Sequence, residues 1–207
     1  MKIPFYIIFF FITFSVSSQT NWTELENDLW KQKEKGEIST EDWYFKLKKE
    51  AGSITPNITA WFQSKEKIEK NDSEKTTKLF FPENYQFEKE NGNTYAKLYL
   101  NNHSNDTIQI QKMSAIINKI TEYFMIDNKW IKGRISDAEF YTCGFQYDIK
   151  IEPNERVYIL IDNEPITNGT NKLKYKLVID IYGQIVESNI IEVKLFENQI
   201  KRLKETQ

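Results

Sequence analysis

Residues 171–183 read NKLKYKLVIDIYG: Leu173, Tyr175, Leu177, Ile179 and Ile181 alternate with Lys172, Lys174, Lys176, Val178 and Asp180, and Gly183 closes the run. A period of two places the first set on one face of a strand and the second set on the other. The same rhythm extends outward in both directions. Ile191, Val193 and Leu195 form the last strand after the hairpin glycine. Upstream, Val157, Ile159 and Ile161 follow the Pro153-Asn154 turn, and Tyr147, Ile149 and Ile151 precede it. Ile120, Glu122, Phe124 and Ile126 lead into Asp127-Asn128, a tight-hairpin pair, and then Trp130. Ile108 and Ile110, then Ala96, Leu98 and Leu100, then Tyr85 and Phe87 repeat the pattern, with turns at 101–106 and at Asn91-Gly92. Seven or eight short strands between residues 79 and 197, separated by regular turns and no helical stretch, predict an antiparallel β-sandwich.

The chain ahead of residue 79 has a different period. Trp22, Leu25 and Leu29 recur at i, i+3 and i+7, Gly36 stands at a helix-stop position, and Ser39 or Thr40 caps a second helix with Glu41 and Asp42 in its first turn. Trp43, Leu47 and Ala51 give its apolar face, and Gly52 ends it. Thr55-Pro56 is a third start signal, with Ile58, Trp61 or Phe62, and Ile68 as the apolar side and Glu66/Lys70 and Lys65/Glu69 as i,i+4 pairs. The fold class expected is therefore mainly β with an α-helical N-terminal segment. The divisions expected are a signal peptide over 1–18, a helical module over 19–70, a linker over 71–78, the sandwich over 79–197 and a polar tail over 198–207.

Lys2 followed by a 14-residue apolar run at 3–16, then Val16-Ser17-Ser18, has the form of a secretory signal cleaved before Gln19. The run is short of the roughly 20 residues that a membrane-spanning helix needs, so no stable span is expected after cleavage. The chain is expected outside the cytoplasm, in the periplasm, at the surface or in the medium. Retention of the segment as an anchor is the rival reading. Of 207 residues, 28 are Lys or Arg and 30 Asp or Glu, and the net charge of −2 gives no electrostatic case for nucleic acid. One His and one Cys exclude a Cys/His zinc site, an intrachain disulfide and a triad with a spare His. An exported chain with a lone Cys143 has to be held by its apolar core, with Cys143 either buried or paired to another chain.

Two family resemblances follow from these residues. Residues 175–195 (YKLVIDIYGQIVESNIIEVKL) resemble the last two strands of an immunoglobulin-like or fibronectin type III-like domain, with Tyr175, Leu177, Ile179, Ile181, Gly183 and Ser188 in the family's places. Residues 151–155 resemble that family's turn before a middle strand. The immunoglobulin Cys pair and a clear core Trp are absent, and the resemblance implies fold only. Residues 29–51 resemble the short helical-hairpin module called SHOCT through Leu29, Gly36, Ile38, Ser39 or Thr40, Glu41, Trp43 and Leu47. That likeness implies self-association or other protein contacts.

No catalytic, metal or cofactor site is expected. His103 sits in a polar turn, and Asp127, Asp148, Asp162 and Glu164 lack calcium-loop spacing. Asn-x-Ser/Thr sequences begin at Asn21, Asn57, Asn71, Asn102, Asn105 and Asn168 and read as glycan sites or as turns. The candidate interaction surface is aromatic: Trp22, Trp30 and Trp43 on the hairpin, and Tyr95, Tyr99, Tyr123 and Tyr182 opposite the apolar faces of their strands. The expected function is a non-enzymatic binding module whose partner is a protein or glycan of the envelope. A carboxylate-dependent envelope enzyme, such as a glycan hydrolase, and a scaffold that self-associates through the hairpin are the alternatives.

Overall fold

The computed structural model describes residues 20–54, 61–70, 76–88, 94–111, 120–133, 148–162, 168–181 and 183–206. The expected signal peptide, the Asn91-Gly92 turn, Cys143 and Tyr182 lie outside them. In chain order the first elements are α1 (Trp22–Glu34), α2 (Thr40–Lys49), β1 (Trp61–Lys67), β2 (Thr77–Phe80), β3 (Gln86–Glu88), β4 (Thr94–Asn102) and β5 (Ile108–Gln111). There follow β6 (Ile120–Ile126), β7 (Lys129–Lys132), β8 (Asp148–Ile151), β9 (Glu155–Asp162), β10 (Asn171–Ile181), β11 (Gln184–Glu187), β12 (Ile191–Leu195) and α3 (Glu197–Glu205). The molecule is mainly β, with three helices among the described residues.

One five-stranded antiparallel sheet is organised by β10. Its Tyr175 to Ile179 pair with β6, its first half pairs on the other side with β12, and its last four residues pair with β11. The β6–β7 hairpin turns at Asp127 and Asn128, both left-handed (φ 49° and 61°), as the two central residues of a type I′ turn must be. The second five-stranded sheet runs β1-β9-β4, with β2 and β3 sharing the far edge of β4. Strands β5 and β8 form a separate two-stranded ribbon.

The alternation read from the sequence decides what is buried. Leu79, Leu98, Leu100 and Val157 of one sheet and Phe124, Tyr175, Leu177, Ile179 and Leu195 of the other fall in a single apolar cluster, each at most 2% exposed. Every such Leu, Ile or Phe withdrawn from water contributes about 1.5–3 kcal/mol. Two antiparallel sheets sharing one core are compatible with a β-sandwich. The strands number twelve among the described residues rather than seven or eight. One addition is β11: the last expected strand, with Ile191, Val193 and Leu195, is β12, and residues 188–190 separate it from β11. There Asn189 turns aside and pairs its amide with Phe81, accepting from the Phe81 N–H (2.7 Å) and donating to the Phe81 carbonyl (3.0 Å). That side chain stitches the edge of one sheet to the other.

Both helices of the N-terminal hairpin start at a side-chain cap, the second at Ser39 as the sequence predicts. Asn21 caps α1 by accepting from the Glu24 N–H, and Ser39 caps α2 by accepting from the Asp42 N–H at 3.0 Å. Gly36 ends α1 in the left-handed region at φ 72°. Leu29, Leu47 and Ala51 then form a small second core with Ile38 and Trp43.

Three expectations are corrected. Residues 61–67, expected in a third helix, are strand β1. Of the charges that suggested i,i+4 helical pairs, Glu66 finds a cross-strand partner instead, lying opposite Arg156, and its neighbour Lys67 lies opposite Glu155, each joined by an ion pair. The expected linker accordingly runs between two strands, and from Thr77 it is itself strand β2. The polar tail expected over 198–207 is helix α3, which buries Gln199, Ile200 and Leu203. Its first turn closes locally, with the Phe196 N–H donating to Gln199 Oε1 at 2.8 Å.

Helix α3 clasps the N-terminal hairpin. Asn198 Nδ2 donates to the carbonyls of Lys49 (2.9 Å) and Glu50 (3.1 Å), and Gln199 Nε2 donates to that of Ser53 (2.9 Å). Arg202 bonds the Ala51 carbonyl and the Glu26 carboxylate. The carbonyls that α2 leaves unsatisfied at its end are thus capped from another helix. Gly52 makes this approach feasible: it adopts φ 60°, and a Cβ there would collide with the Asn198 carbonyl oxygen.

Candidate binding surface

On β4, Lys97 and Tyr99 face away from the core, alternating with the buried Ala96, Leu98 and Leu100. Register sets their neighbours. Tyr99 lies opposite Phe80 of β2 on one side and opposite Tyr158 of β9 on the other. The result is a row of three half-buried rings crossing three strands, with centroids 5.4 Å apart for Phe80–Tyr99 and 6.2 Å for Tyr99–Tyr158. The first pair is inclined by 31° and the second stands edge-on at 72°. Each ring carries a cation over it: Lys78 Nζ at 5.9 Å from Phe80, the Arg156 guanidinium at 4.6 Å from Tyr99, and Lys97 Nζ at 5.3 Å from Tyr158. Glu66 anchors Arg156 by accepting from both Nε (2.7 Å) and Nη2.

The other aromatic candidates are dispersed. Trp22 is buried under α3, where its Nε1 donates to Glu205 at 2.7 Å and Arg202 and Lys201 approach its ring. Trp30, 44% exposed, meets Trp43 edge-on at 5.4 Å, with Lys33 Nζ over both rings. Tyr123 lies on the outward face of the β10 sheet, where Lys176 sits over it and over Trp130. Tyr95 pairs through its backbone with Phe87 and Asp162, and its side chain, like the whole of Tyr182, lies outside the described residues. The seven residues therefore do not make one surface. Of those whose side chains are described, Tyr99 alone joins a continuous row, and Phe80, Tyr158 and Arg156 complete it. The strand alternation holds their signal: with Leu79 and Val157 inward, Phe80, Arg156 and Tyr158 must point outward.

Two further polar features were not legible in the sequence. Glu122 sits on the core face of β6, and its Oε1 accepts from the Tyr175 hydroxyl at 2.7 Å. Burial pushes its carboxyl up from the ordinary 4.5 to about 7, with the Tyr175 hydrogen bond opposing that rise. Tyr175, itself buried beside that carboxyl, is held well above its ordinary value. The second feature is Asn102. Its buried Nδ2 donates to the carbonyls of Asp106 and Ile151, both at 2.8 Å, while its Oδ1 accepts from Ser104. An amide used in this way is a turn organiser, not a glycan acceptor, which decides that one Asn-x-Ser sequence in favour of the turn.

A cavity of about 490 Å³ opens where the edges of the two sheets meet, lined by Phe81, Pro82, Glu83, Tyr85, Asn189 and Glu192. Burial, then the nearby Glu192 charge, raises the Tyr85 hydroxyl above its ordinary value. That hydroxyl donates to the Glu192 carbonyl at 3.1 Å. Neither a family model nor a curated protein matches the sequence. Among the described residues, no helix is long and apolar enough to cross a membrane.

Proposed function

We propose that this chain is an exported, non-enzymatic binding module of the cell envelope, built on an immunoglobulin-like sandwich, that holds its ligand against the outward face of the β2-β4-β9 sheet. Export rests on the apolar segment at 3–16 and the small residues after it. The fold assignment is supported by strand order. In immunoglobulin-like sandwiches the first, second and fifth strands share a sheet, and the third, sixth and seventh share the other. With β2, β4, β6, β9, β10 and β12 in those six roles, the pairings β2-β4-β9 and β6-β10-β12 follow that order. The β1 strand then extends the first sheet beyond β9, at the edge that the fourth strand takes in such domains.

The observation that carries the function is the ring row Phe80–Tyr99–Tyr158 with its three cations. Aromatic side chains turned outward in the middle of a sheet present apolar area to water, and a ligand that covers them recovers it. Capture from an envelope extract by the Tyr99→Ala/Tyr158→Ala variant should fall well below that of the wild type. Undiminished capture by a folded variant would remove this face from the function. The enzymatic alternative is favoured by one feature, the carboxylates Glu83 and Glu192 on one cavity. Both are exposed, and turnover of a polysaccharide panel by the purified protein, abolished by Glu192→Gln, would establish it instead.

A further inference from the structure

We infer that the cavity between the two sheet edges binds a free apolar α-amino acid, its ammonium at Glu83, its carboxylate at Lys194 and its side chain against Pro82, Ile191 and the Tyr85 ring. The site shares no residue with the row Phe80–Tyr99–Tyr158 and stands apart from the reading above. Its walls come from both sheets and are already joined. Residues 81–86 lead from β2 into β3, and residues 189–194 lead into β12. Asn189 commits both ends of its amide to Phe81, and the Tyr85 hydroxyl commits its proton to the Glu192 carbonyl. Walls held before a ligand arrives lose little freedom when it does. At about 490 Å³ the space lies within the range of small-molecule sites.

Charge selects the ligand. Three charged side chains line the cavity, and one of them, Glu192, is paired with Lys172 at 2.8 Å. Glu83 and Lys194 remain. Among the described residues neither side chain has an ion-pair or hydrogen-bond partner, and they do not pair with each other. One uncommitted charge of each sign complements a ligand that carries both. A simple anion would meet Glu83, and a simple cation would meet Lys194, with nothing to offset the repulsion. Pro82, Tyr85 and Ile191, all half-buried, supply apolar surface for the rest of the ligand. An apolar α-amino acid is the smallest molecule with these three parts. Strand addition by a peptide along β12 would need its edge carbonyls. Those of Glu192 and Lys194 already accept from the Tyr85 hydroxyl and from the Gly169 N–H.

The test is titration of the purified protein with leucine, isoleucine and phenylalanine, followed by calorimetry and by the amide signals of Tyr85 and Ile191. N-acetyl-leucine, which lacks the ammonium, and leucinamide, which lacks the carboxylate, are titrated beside them. At least one of the three amino acids should bind and shift both signals. For that amino acid, losing either charge should weaken binding about tenfold, the equivalent of one charge-assisted contact. Glu83→Gln should abolish the advantage of leucine over N-acetyl-leucine and keep its advantage over leucinamide, and Lys194→Gln should do the reverse. Both side chains are exposed, so neither variant disturbs the core. N-acetyl-leucinamide binding as well as leucine would overturn the inference, as would leucine affinity unchanged in both variants. Absence of binding by all three amino acids would overturn it too. Envelope capture that still depended on Tyr99 and Tyr158 would then leave the ring face standing.

Discussion

Replacing Glu122 by Gln should stabilise the protein at alkaline pH and leave it unchanged in acid. The carboxyl lies on the core row of β6, opposite Leu177 and two residues before Phe124, and its one described hydrogen bond comes from Tyr175. In the unfolded chain it titrates near 4.5, and in the folded chain near 7. The folded state therefore binds the proton more tightly, so stability is greatest below the lower value. It declines as pH rises between the two and is lowest above the higher one. The interval of about 2.5 pH units, at roughly 1.4 kcal/mol each, gives an upper bound between about 3 and 4 kcal/mol. Gln keeps an amide oxygen for the Tyr175 hydroxyl and carries no charge at any pH. Urea unfolding of both proteins at about pH 5 and about pH 8 isolates the effect, since every other titrating group is common to the two. The variant should gain on the wild type by up to about 3 kcal/mol between those conditions. Parallel curves, with the same difference at both pH values, would show that Glu122 ionises as an ordinary carboxyl and that the buried geometry is wrong.

Tyr175→Phe removes the hydrogen bond that favours the Glu122 carboxylate, so the decline in stability should begin at lower pH-independent stability and its midpoint should move upward, read from the same urea series. Asn189→Ala deletes both bonds to Phe81 and should cost about 1–3 kcal/mol, with faster amide exchange at Phe81 as the local signature. Gly52→Ala meets the Asn198 carbonyl and a positive φ at once and should cost more than about 1 kcal/mol. Its thermal midpoint should fall, and Trp22 fluorescence should shift toward that of an exposed ring. An unchanged midpoint would mean that α3 does not sit against the hairpin.

The strands were legible because a one-face-apolar strand writes its period directly into the chain. Leu98, Leu100, Val157, Tyr175 and Leu177 all lie inward as the alternation requires. The helix caps at Asn21 and Ser39 were equally local signals, although only Ser39 was read as one. What escaped depends on partners far along the chain. Residues 61–67 carry charges at spacings that suit either a helix face or cross-strand pairing, and Arg156, some ninety positions later, decides between them. The last helix has only Ile200 and Leu203 as an apolar stripe, too narrow to announce itself without the hairpin that covers it. At the candidate site, Tyr99 was visible as an outward residue. Its neighbours Phe80 and Tyr158 became neighbours only through register, which alternation alone leaves undetermined.

The clasp between α3 and the hairpin has a consequence for the order of events during synthesis. Trp22 is made 183 positions ahead of its hydrogen-bond partner Glu205. A contact of that separation closes only after the rest of the chain is available. The N-terminal helices therefore emerge without the surface that will cover Trp22, and they wait, unsecured, until the final turn of α3 has been added. A chain cut before α3 would leave the hairpin uncovered, so the state of the hairpin reports on whether α3 has been made.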